Sequence, residues 1–421
     1  MSTPSVLIIG AGLAGLTCAR HLQKKGRSCQ IVEASDAVGG RVRTDIVDGF
    51  RLDRGFQVML TAYPETQREL DYEALDLCMF YDGALVRSNG GFHKIADPFR
   101  HPFDAPRMLF SPVGTLGDKL RVARARQSLT SRSVTEIMGQ PEMTTEDVLR
   151  NRWGFSEVMI DRFFRPFFGG IFFDTELQAS SRMFEFIFKM FSEGQAALPA
   201  NGMQAIPEQI ASHLDDGTIQ FNTRVEAIDD GTVVLASGET MTPESIVVAT
   251  EAPMANELLG DVQPVEKRST VCVYYAANES PLDQPILVLN GDGSGPVNNV
   301  SVPSDVVSSY APDGKSLISV VVVGEPESSD EELERSVRQQ LVDWFGPDAG
   351  GWDHLRNVHV PYALPEQRPP FLSPPERSVR RRAGLYVCGD HTRTASLNGA
   401  LASGRAAARA VVTDQRTRTP A

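Results

Sequence analysis

The chain has 421 residues, a net charge of −13, 41% hydrophobic and 23% charged side chains. That length accommodates two domains with a large core, and the acidic balance argues against a protein that neutralises nucleic-acid phosphates across its surface. Five scattered cysteines without a C-x-x-C pair argue against a disulfide framework or a zinc site, and they agree with a reducing compartment.

The first element is the most informative. Val6-Leu7-Ile8-Ile9 reads as a buried strand, Gly10-Ala11-Gly12-Leu13-Ala14-Gly15 as a G-x-G-x-x-G turn, and Leu13 to Lys25 as a helix with apolar residues at helical spacing. Gly10 permits the tight turn, Gly12 lets the backbone approach a pyrophosphate, and Gly15 lets the helix pack closely on the strand. The pyrophosphate would rest on the N–H groups at the positive end of the helix. A second strand, Cys29 to Val32, delivers Glu33, whose carboxylate can accept from both ribose hydroxyls and repels a 2′-phosphate. With a strand beginning at Val6, no leader segment is expected, and no run approaches the roughly 20 apolar residues of a membrane span. The expected location is cytoplasmic, with at most peripheral membrane contact.

Downstream, residues 60 to 195 look mainly helical, and residues 155 to 191 hold eleven of the 21 phenylalanines. Ile219 to Val225 followed by Gly231 to Leu235 reads as a hairpin, and Ser245 to Thr250 as a buried strand. Residues 266 to 375 are rich in Val, Tyr and Pro, with strands expected at Thr270 to Ala276, Pro285 to Leu289 and Leu317 to Val323, and an amphipathic helix at Glu331 to Phe345. The glycine cluster Gly291 to Pro296 is a turn, because Pro296 removes an N–H and no helix follows. Arg377, Arg380, Arg381 and Arg382 form a local basic patch, read as a solvated loop ahead of a strand. Gly384 to Asp390 is a further strand, and Asn398 to Val412 an Ala-rich helix.

These segments carry a resemblance. Glu33 with Gly39-Gly40-Arg41, Val225 after a downstream strand, and Gly389-Asp390 with Ser396 to Gly404 resemble the FAD-binding segments of the flavin amine oxidase, phytoene desaturase and protoporphyrinogen oxidase superfamily. In the middle of the chain, Arg165 to Gly170 and Tyr310 to Lys315 look like its carotenoid-desaturase and isomerase side. The resemblance implies an α/β fold with α+β insertions. A Rossmann-type FAD-binding domain would be assembled from residues 1–60, 196–265 and 376–421, and a discontinuous substrate domain from 61–195 and 266–375. It implies that Gly10, Gly12 and Gly15 cradle the pyrophosphate, that Glu33 holds the adenosine ribose, and that Gly40 and Arg41 lie along the phosphates. Val225 would meet the adenine through its backbone and Asp390 a ribitol hydroxyl or the pyrophosphate. The helix beginning near Asn398 would aim its N-terminus at the flavin N1–O2 edge, where negative charge gathers on reduction.

The chain also departs from the family pattern. Many amine oxidases of the superfamily bring a lysine to flavin N5 through a water, from a strand that here resembles Ser269 to Tyr275. Thr270 or Val271 takes that place, and Lys267 and Lys315 are the nearest lysines in sequence. Cys388 lies inside a strand and not in an attachment motif, so non-covalent FAD is expected. The phenylalanine run, with Phe164 and Phe168 as candidates, suggests a long apolar pocket or a lipid-touching surface. Polar candidates are His391, Asp174 and Glu185 for proton transfer, and Arg162, Arg165 and Arg182 for a carboxylate. No catalytic base or metal site is assigned. The expected activity is hydride abstraction from a small apolar, isoprenoid- or carotenoid-like substrate onto flavin N5, with oxygen or a quinone as acceptor. An amine oxidase, and a flavin-dependent isomerase or non-catalytic flavoprotein, are the alternatives.

Overall fold

A computed structural model describes residues 4–97, 100, 101, 103, 111–260 and 266–418. The chain opens with β1 (Val6–Ile9), α1 (Leu13–Gln23) and β2 (Cys29–Val32). A hairpin of β3 (Thr44–Val47) and β4 (Phe50–Asp53) follows, then α2 (Pro64–Glu69) and a second hairpin, β5 (Gly83–Ser88) and β6 (Gly91–Ala96). Helices α3 (Leu116–Thr130), α4 (Arg165–Phe172) and α5 (Ser181–Glu193) precede β7 (Ile219–Gln220), the hairpin β8 (Val225–Asp229) and β9 (Thr232–Leu235), and β10 (Ser245–Val248). Next come β11 (Lys267–Ala277), β12 (Leu287–Asn290), β13 (Asn299–Ser301), β14 (Ser316–Val323), α6 (Asp330–Phe345) and β15 (Asp353–Pro365). The chain closes with β16 (Arg380–Arg382), β17 (Leu385–Val387) and α7 (Leu397–Arg418).

Two large sheets organise these elements. The first has the order β7-β2-β1-β10-β17-β16. Its strands run parallel from β7 to β17, with Val6 opposite both Cys29 and Ser245, and only the edge strand β16 is antiparallel. Strands buried on both faces must be apolar throughout, as β1 is. From β1 the chain passes to β2 on one side and later to β10 on the other, so the carboxyl end of β1 is a topological switch point, where a ligand crevice opens in such sheets. The second sheet has the order β15-β11-β14-β13-β12-β5-β6. Its strands come from 83–96 and 267–365, whereas the first sheet draws on 6–32, 219–248 and 380–387. A small sheet of Met59–Leu60, Leu77–Met79 and Ala196–Pro199 links the two sets of segments. The expected boundary at residue 265 falls outside the described residues.

Alternation along β11 sorts its side chains between two cores. Val271, Val273 and Tyr275 pack with Val337 and Leu341 of α6, while Cys272, Tyr274 and Ala276 join the cluster that contains Leu16, Leu52 and Phe50. The second sheet therefore turns one face to α6 and the other to the first sheet's segments.

Three readings of the sequence are corrected. The stretch 60–195 contains the β5–β6 hairpin as well as helices, because Asn89-Gly90 adopts the positive φ values, +53° and +77°, that a two-residue hairpin turn demands. Ile219–Gln220 is a parallel strand beside β2, and only 225–235 forms the hairpin. The arginines 380–382 form an edge strand paired with β17.

Candidate functional site

The glycine turn sits at the carboxyl end of β1. Gly10, at φ +106°, donates its N–H to Val32 O at 2.9 Å. A Cβ on Gly15 would lie 2.0 Å from Gly10 O, so any side chain there would force α1 off the strand. Gly12 is different: a Cβ would meet no atom within 4 Å, so the space in front of the helix is open. The N-terminus of α1 has no side-chain cap and no acid in its first turn, which leaves donors and positive potential facing that space. Gly39 N–H donates to Ala11 O at 2.9 Å, and Gly40, at φ +60°, lies beside Gly12. These residues fit a pyrophosphate.

Glu33 is tied into the same turn. Its Oε2 accepts from Ala11 N at 2.7 Å, and its Oε1 accepts from Ser35 N and Ser35 Oγ, both at 2.8 Å. Since a carboxylate offers about four acceptor positions, this arrangement leaves a single place on Oε2. The sequence reading has Glu33 accept from both ribose hydroxyls. Thr223 N–H donates to Glu33 O at 2.8 Å and brings the start of β8 alongside. Val225 buries its side chain there among Leu7, Ile9 and Val32.

Opposite the turn, Arg41 donates to Asp390 Oδ1 at 2.8 Å and to Ala363 O at 2.9 Å, and its guanidinium lies 5.4 Å from the Tyr362 ring centroid. Burial alone would raise the Asp390 carboxyl, but Arg41 outweighs it and holds the group below the usual carboxylate range. Gly389 N–H donates to Ser403 Oγ at 2.9 Å. Its neighbour His391 is 2% exposed, and neither ring nitrogen has a hydrogen-bond partner among the described residues. Burial pushes its pKa down to about 4, so the imidazole is neutral at pH 7. Asn398 lies in the first turn of α7, one residue after the helix begins, and its Oδ1 accepts from Glu65 N at 2.9 Å, which caps α2. Farther along α7, a Cβ on Gly404 would lie 2.1 Å from Ala14 O, so this glycine sets the close approach of α7 to α1.

On the side of the second sheet, Thr270 faces Gly55, with its methyl 4.0 Å from where a Cβ on that glycine would stand, whereas Val271 points into the core under α6. The strand residue facing the cofactor segments is thus Thr270, followed by Cys272 and Tyr274. Lys267 pairs with Glu325 and Lys315 donates to Asn278, both at the surface. Below Gly55, Asp53 is buried. Its Oδ1 accepts from Thr44 Oγ1 at 2.6 Å and Met203 N at 3.0 Å, its Oδ2 accepts from Tyr310 OH at 2.9 Å, and its carbonyl accepts from Tyr274 OH at 2.7 Å. All of these donors are neutral, so burial dominates and raises its pKa to about 6. The sequence reading missed Asp53, since alternation puts it on the face of Arg51, opposite the core residues Phe50 and Leu52, and only tertiary packing buries it.

The phenylalanine run is packed inward. Phe164 and Phe168 are 0% and 1% exposed, in one cluster with Phe155, Phe172, Phe184 and Phe186. Phe163, Phe167, Phe188 and Phe191 are half-buried at its edge, Phe163 stacked on Phe167 at 5.4 Å. The expectation that Phe164 or Phe168 lines a cavity is therefore corrected: both rings are buried in this cluster, packed against each other, with Phe164 also on Phe155 and Phe168 on Phe184. The polar candidates nearby hold structure together. Asp174 accepts from Ala179 N at 2.8 Å, and Glu185 pairs with Arg152 at 3.0 Å. Arg162 donates to Pro112 O, Arg165 pairs with Asp161 and Glu146, and Arg182 donates to Gln140 O and Leu372 O. Cys388 is wholly buried at the end of β17, and burial pushes its thiol up to about 12, away from thiolate chemistry. No helix among the described residues is long and apolar enough to cross a membrane.

Comparison with known proteins agrees with this geometry. The 15-cis-phytoene desaturase of Narcissus pseudonarcissus is 23% identical over 97% of this chain and 79% of its own length. A protein of Exiguobacterium sp. 255-15, provisionally named protoporphyrinogen oxidase, superposes with a TM-score of 0.72 at 19% identity over 99% of this chain and 100% of its own. Putrescine oxidase superposes with a TM-score of 0.72 at 16% identity over 97% of this chain and 99% of its own. The family of flavin-containing amine oxidoreductases matches residues 13–412, from the start of α1 into α7. Because that match spans both the helix behind the glycine turn and the distant helix packed against it, the chain belongs to this family and is an FAD-dependent oxidoreductase.

Proposed function

We propose that this protein binds FAD non-covalently and removes a hydride from a C–H bond of a small apolar substrate, of isoprenoid or carotenoid-like character, with oxygen or a quinone as the final acceptor. Segments 1–60, 196–265 and 376–421 would hold the cofactor, and 61–195 and 266–375 the substrate. Gly10, Gly12 and Gly15 with the α1 N-terminus hold the pyrophosphate, and Glu33 takes a ribose hydroxyl on its remaining Oε2 position. The Val225 backbone meets the adenine, Gly40 and Arg41 flank the phosphates, and Asp390 accepts from the ribitol. The first turn of α7, at Asn398, favours negative charge at the flavin N1–O2 edge. Bound FAD supplies a hydride acceptor at N5; the protein supplies position and dryness.

The observation that carries this reading is the face of β11 turned toward Gly55. It presents Thr270, Cys272 and Tyr274, uncharged groups, where many amine oxidases of the superfamily place a lysine. A cationic amine would lose its hydration there with little in return, whereas an apolar chain loses nothing. The full-length likeness to a phytoene desaturase supports the same substrate class. The test is anaerobic mixing of the yellow protein with a long-chain isoprenoid and, separately, with putrescine. Bleaching of the oxidised flavin band by the isoprenoid alone is expected. Rapid bleaching by putrescine would make amine oxidation the function, and turnover of the isoprenoid without bleaching would make the protein an isomerase.

A further inference from the structure

We propose that helix α3 is the surface by which this protein docks on a lipid bilayer that carries anionic headgroups. The inference rests on exposed side chains and is independent of the FAD reading. Seven large apolar side chains stand exposed among the described residues, and four of them, Phe103, Leu116, Leu120 and Val158, fall in the stretch that precedes α4. Phe103 is 95% exposed, Leu120 75%, Leu116 60% and Val158 43%. Leu116 and Leu120 are one turn apart and so share a stripe of the helix surface, which Arg124 continues one turn further. Apolar side chains gathered in this way mark a surface that something covers.

The helix cannot roll this stripe inward, because its other side is fixed to the protein. Asp118, Ala125 and Leu129 are buried, and Arg126 donates to Ser192 O of α5 at 3.1 Å. Asp118 accepts from Ser156 N at 2.9 Å and from Ser156 Oγ at 2.6 Å, and a Cβ on Gly114 would lie 2.7 Å from Met159 Sδ. Val158, between Ser156 and Met159, is thereby held near the N-terminal end of the stripe.

Charge selects the occupant. Helix α3 carries four basic residues against one acid, in a chain whose net charge is −13. Two of the four are paired, Arg121 at 3.4 Å from Asp118 and Arg126 at 3.3 Å from Asp97. Arg124 is exposed and has no carboxylate partner among the described residues, and neither has Arg162, which donates to Pro112 O at 3.1 Å just ahead of the helix. The nearby acids Glu157 and Asp161 are bound to Arg150 and Arg165. Leucines with a guanidinium toward each end suit acyl chains beneath anionic headgroups. A second copy packed on the same face would set arginine against arginine with no acid between them. An apolar substrate partitions into bilayers, so docking would also bring the protein to it.

The experiment measures flotation of the protein with vesicles of phosphatidylcholine, with and without phosphatidylglycerol. The expected result is binding to the anionic vesicles that weakens as salt rises. Leu116→Ser combined with Leu120→Ser should bind at least about tenfold more weakly. Arg124→Gln should bind about fivefold more weakly, and on anionic vesicles alone. Both variants should melt like wild type, because exposed side chains contribute little to the fold. A wild type that does not float, or a double variant that floats as wild type does, would overturn the proposal. So would a dimer in sedimentation that the double variant breaks while no vesicle is bound, since the stripe would then join copies of this chain. If the double variant does not fold, Leu120→Trp decides: its indole must be quenched by lipids with brominated acyl chains, and quenching no greater than that of wild type overturns the assignment. A protein that floats but is not bleached by an isoprenoid would lose the substrate reading and keep the docking surface, which separates the two failures.

Discussion

The glycine turn at residues 10–15 and the phenylalanine run at 155–191 both drew attention as sequence, and they meet opposite fates in three dimensions. The turn leaves space: Gly12 faces nothing within 4 Å, the helix behind it is uncapped, and Glu33 is bonded into place with an acceptor position to spare. The phenylalanines leave none, with Phe155, Phe164, Phe168 and Phe184 filling each other's gaps at centroid distances of 4.6 to 6.1 Å. Backbone polar groups held apart by glycine cannot satisfy one another and wait for a ligand, whereas apolar rings satisfy one another completely. An unusual density of one residue type is therefore a weaker sign of a site than an unusual lack of side chain at a helix N-terminus.

The sharpest way to break this contrast is Phe164→Ala. A filled core predicts a loss of about 3–5 kcal/mol, seen as a lower melting temperature with flavin reduction normal in the protein that remains folded. A melting temperature near wild type with slowed reduction by an apolar substrate would restore Phe164 to the substrate wall.

Asp53 sits against the core that the glycine-turn segments share with β11 and tests whether that seam is dry. Its folded-state pKa of about 6 stands above the ordinary 3.8, so the fold disfavours the ionised form. Its contribution to stability is fully present below the ordinary value and is lost as pH rises through about 6. Denaturant midpoints measured at about pH 4 and pH 7 should show Asp53→Asn gaining on wild type by up to about 3 kcal/mol at the higher pH. Parallel profiles would mean that water reaches the carboxylate.

Gly12→Ala sharpens the meaning of open space. The variant should fold and melt like wild type when stripped of flavin, yet bind FAD on the order of 100-fold more weakly, about 2.7 kcal/mol, because the methyl enters the room left for the pyrophosphate. Gly15→Ala is its contrast and should lose stability as well, since the same methyl strikes Gly10 O. Equal behaviour of the two variants would remove the distinction.

The smallest effect is expected from Glu33→Ala. A charge-assisted hydrogen bond contributes about 1.5–3 kcal/mol, so FAD affinity should fall roughly 10- to 100-fold. Ala11 N and Ser35 N also lose their acceptor, so the flavin-free protein should show faster amide exchange at both positions. Unchanged FAD affinity would confine Glu33 to the turn.

Much of the architecture was legible beforehand, for local reasons. The β1-turn-α1-β2 unit, the hairpin at 225–235 and the helix at 330–345 are each written in a few neighbouring residues: glycines where φ is positive, Asp230-Gly231 in a tight turn, Ser329 and Glu332 capping one helix end. The same signal stood at Asp48-Gly49 and Asn89-Gly90, where the hairpins β3–β4 and β5–β6 were not anticipated. Both turns are legible in the sequence, although the second stands in surroundings that read as helical. The long strand β15 also went unread, since its thirteen residues mix His, Arg and Asn with Val and take their place from pairing with β11.

What only the tertiary structure decided are matters of distance between remote segments. Whether Thr270 or Val271 faces the site depends on which face of β11 meets Gly55, 215 residues earlier in the chain. The raised pKa of Asp53 comes from burial beneath remote segments, against which hydrogen bonds from Tyr310 and Met203 pull it down, and none of the described residues brings a hydrogen bond to the His391 ring. Periodicity and turn chemistry act over a few residues and so determine elements; partnership is settled by packing, where a buried group's chemistry follows from what does or does not stand beside it.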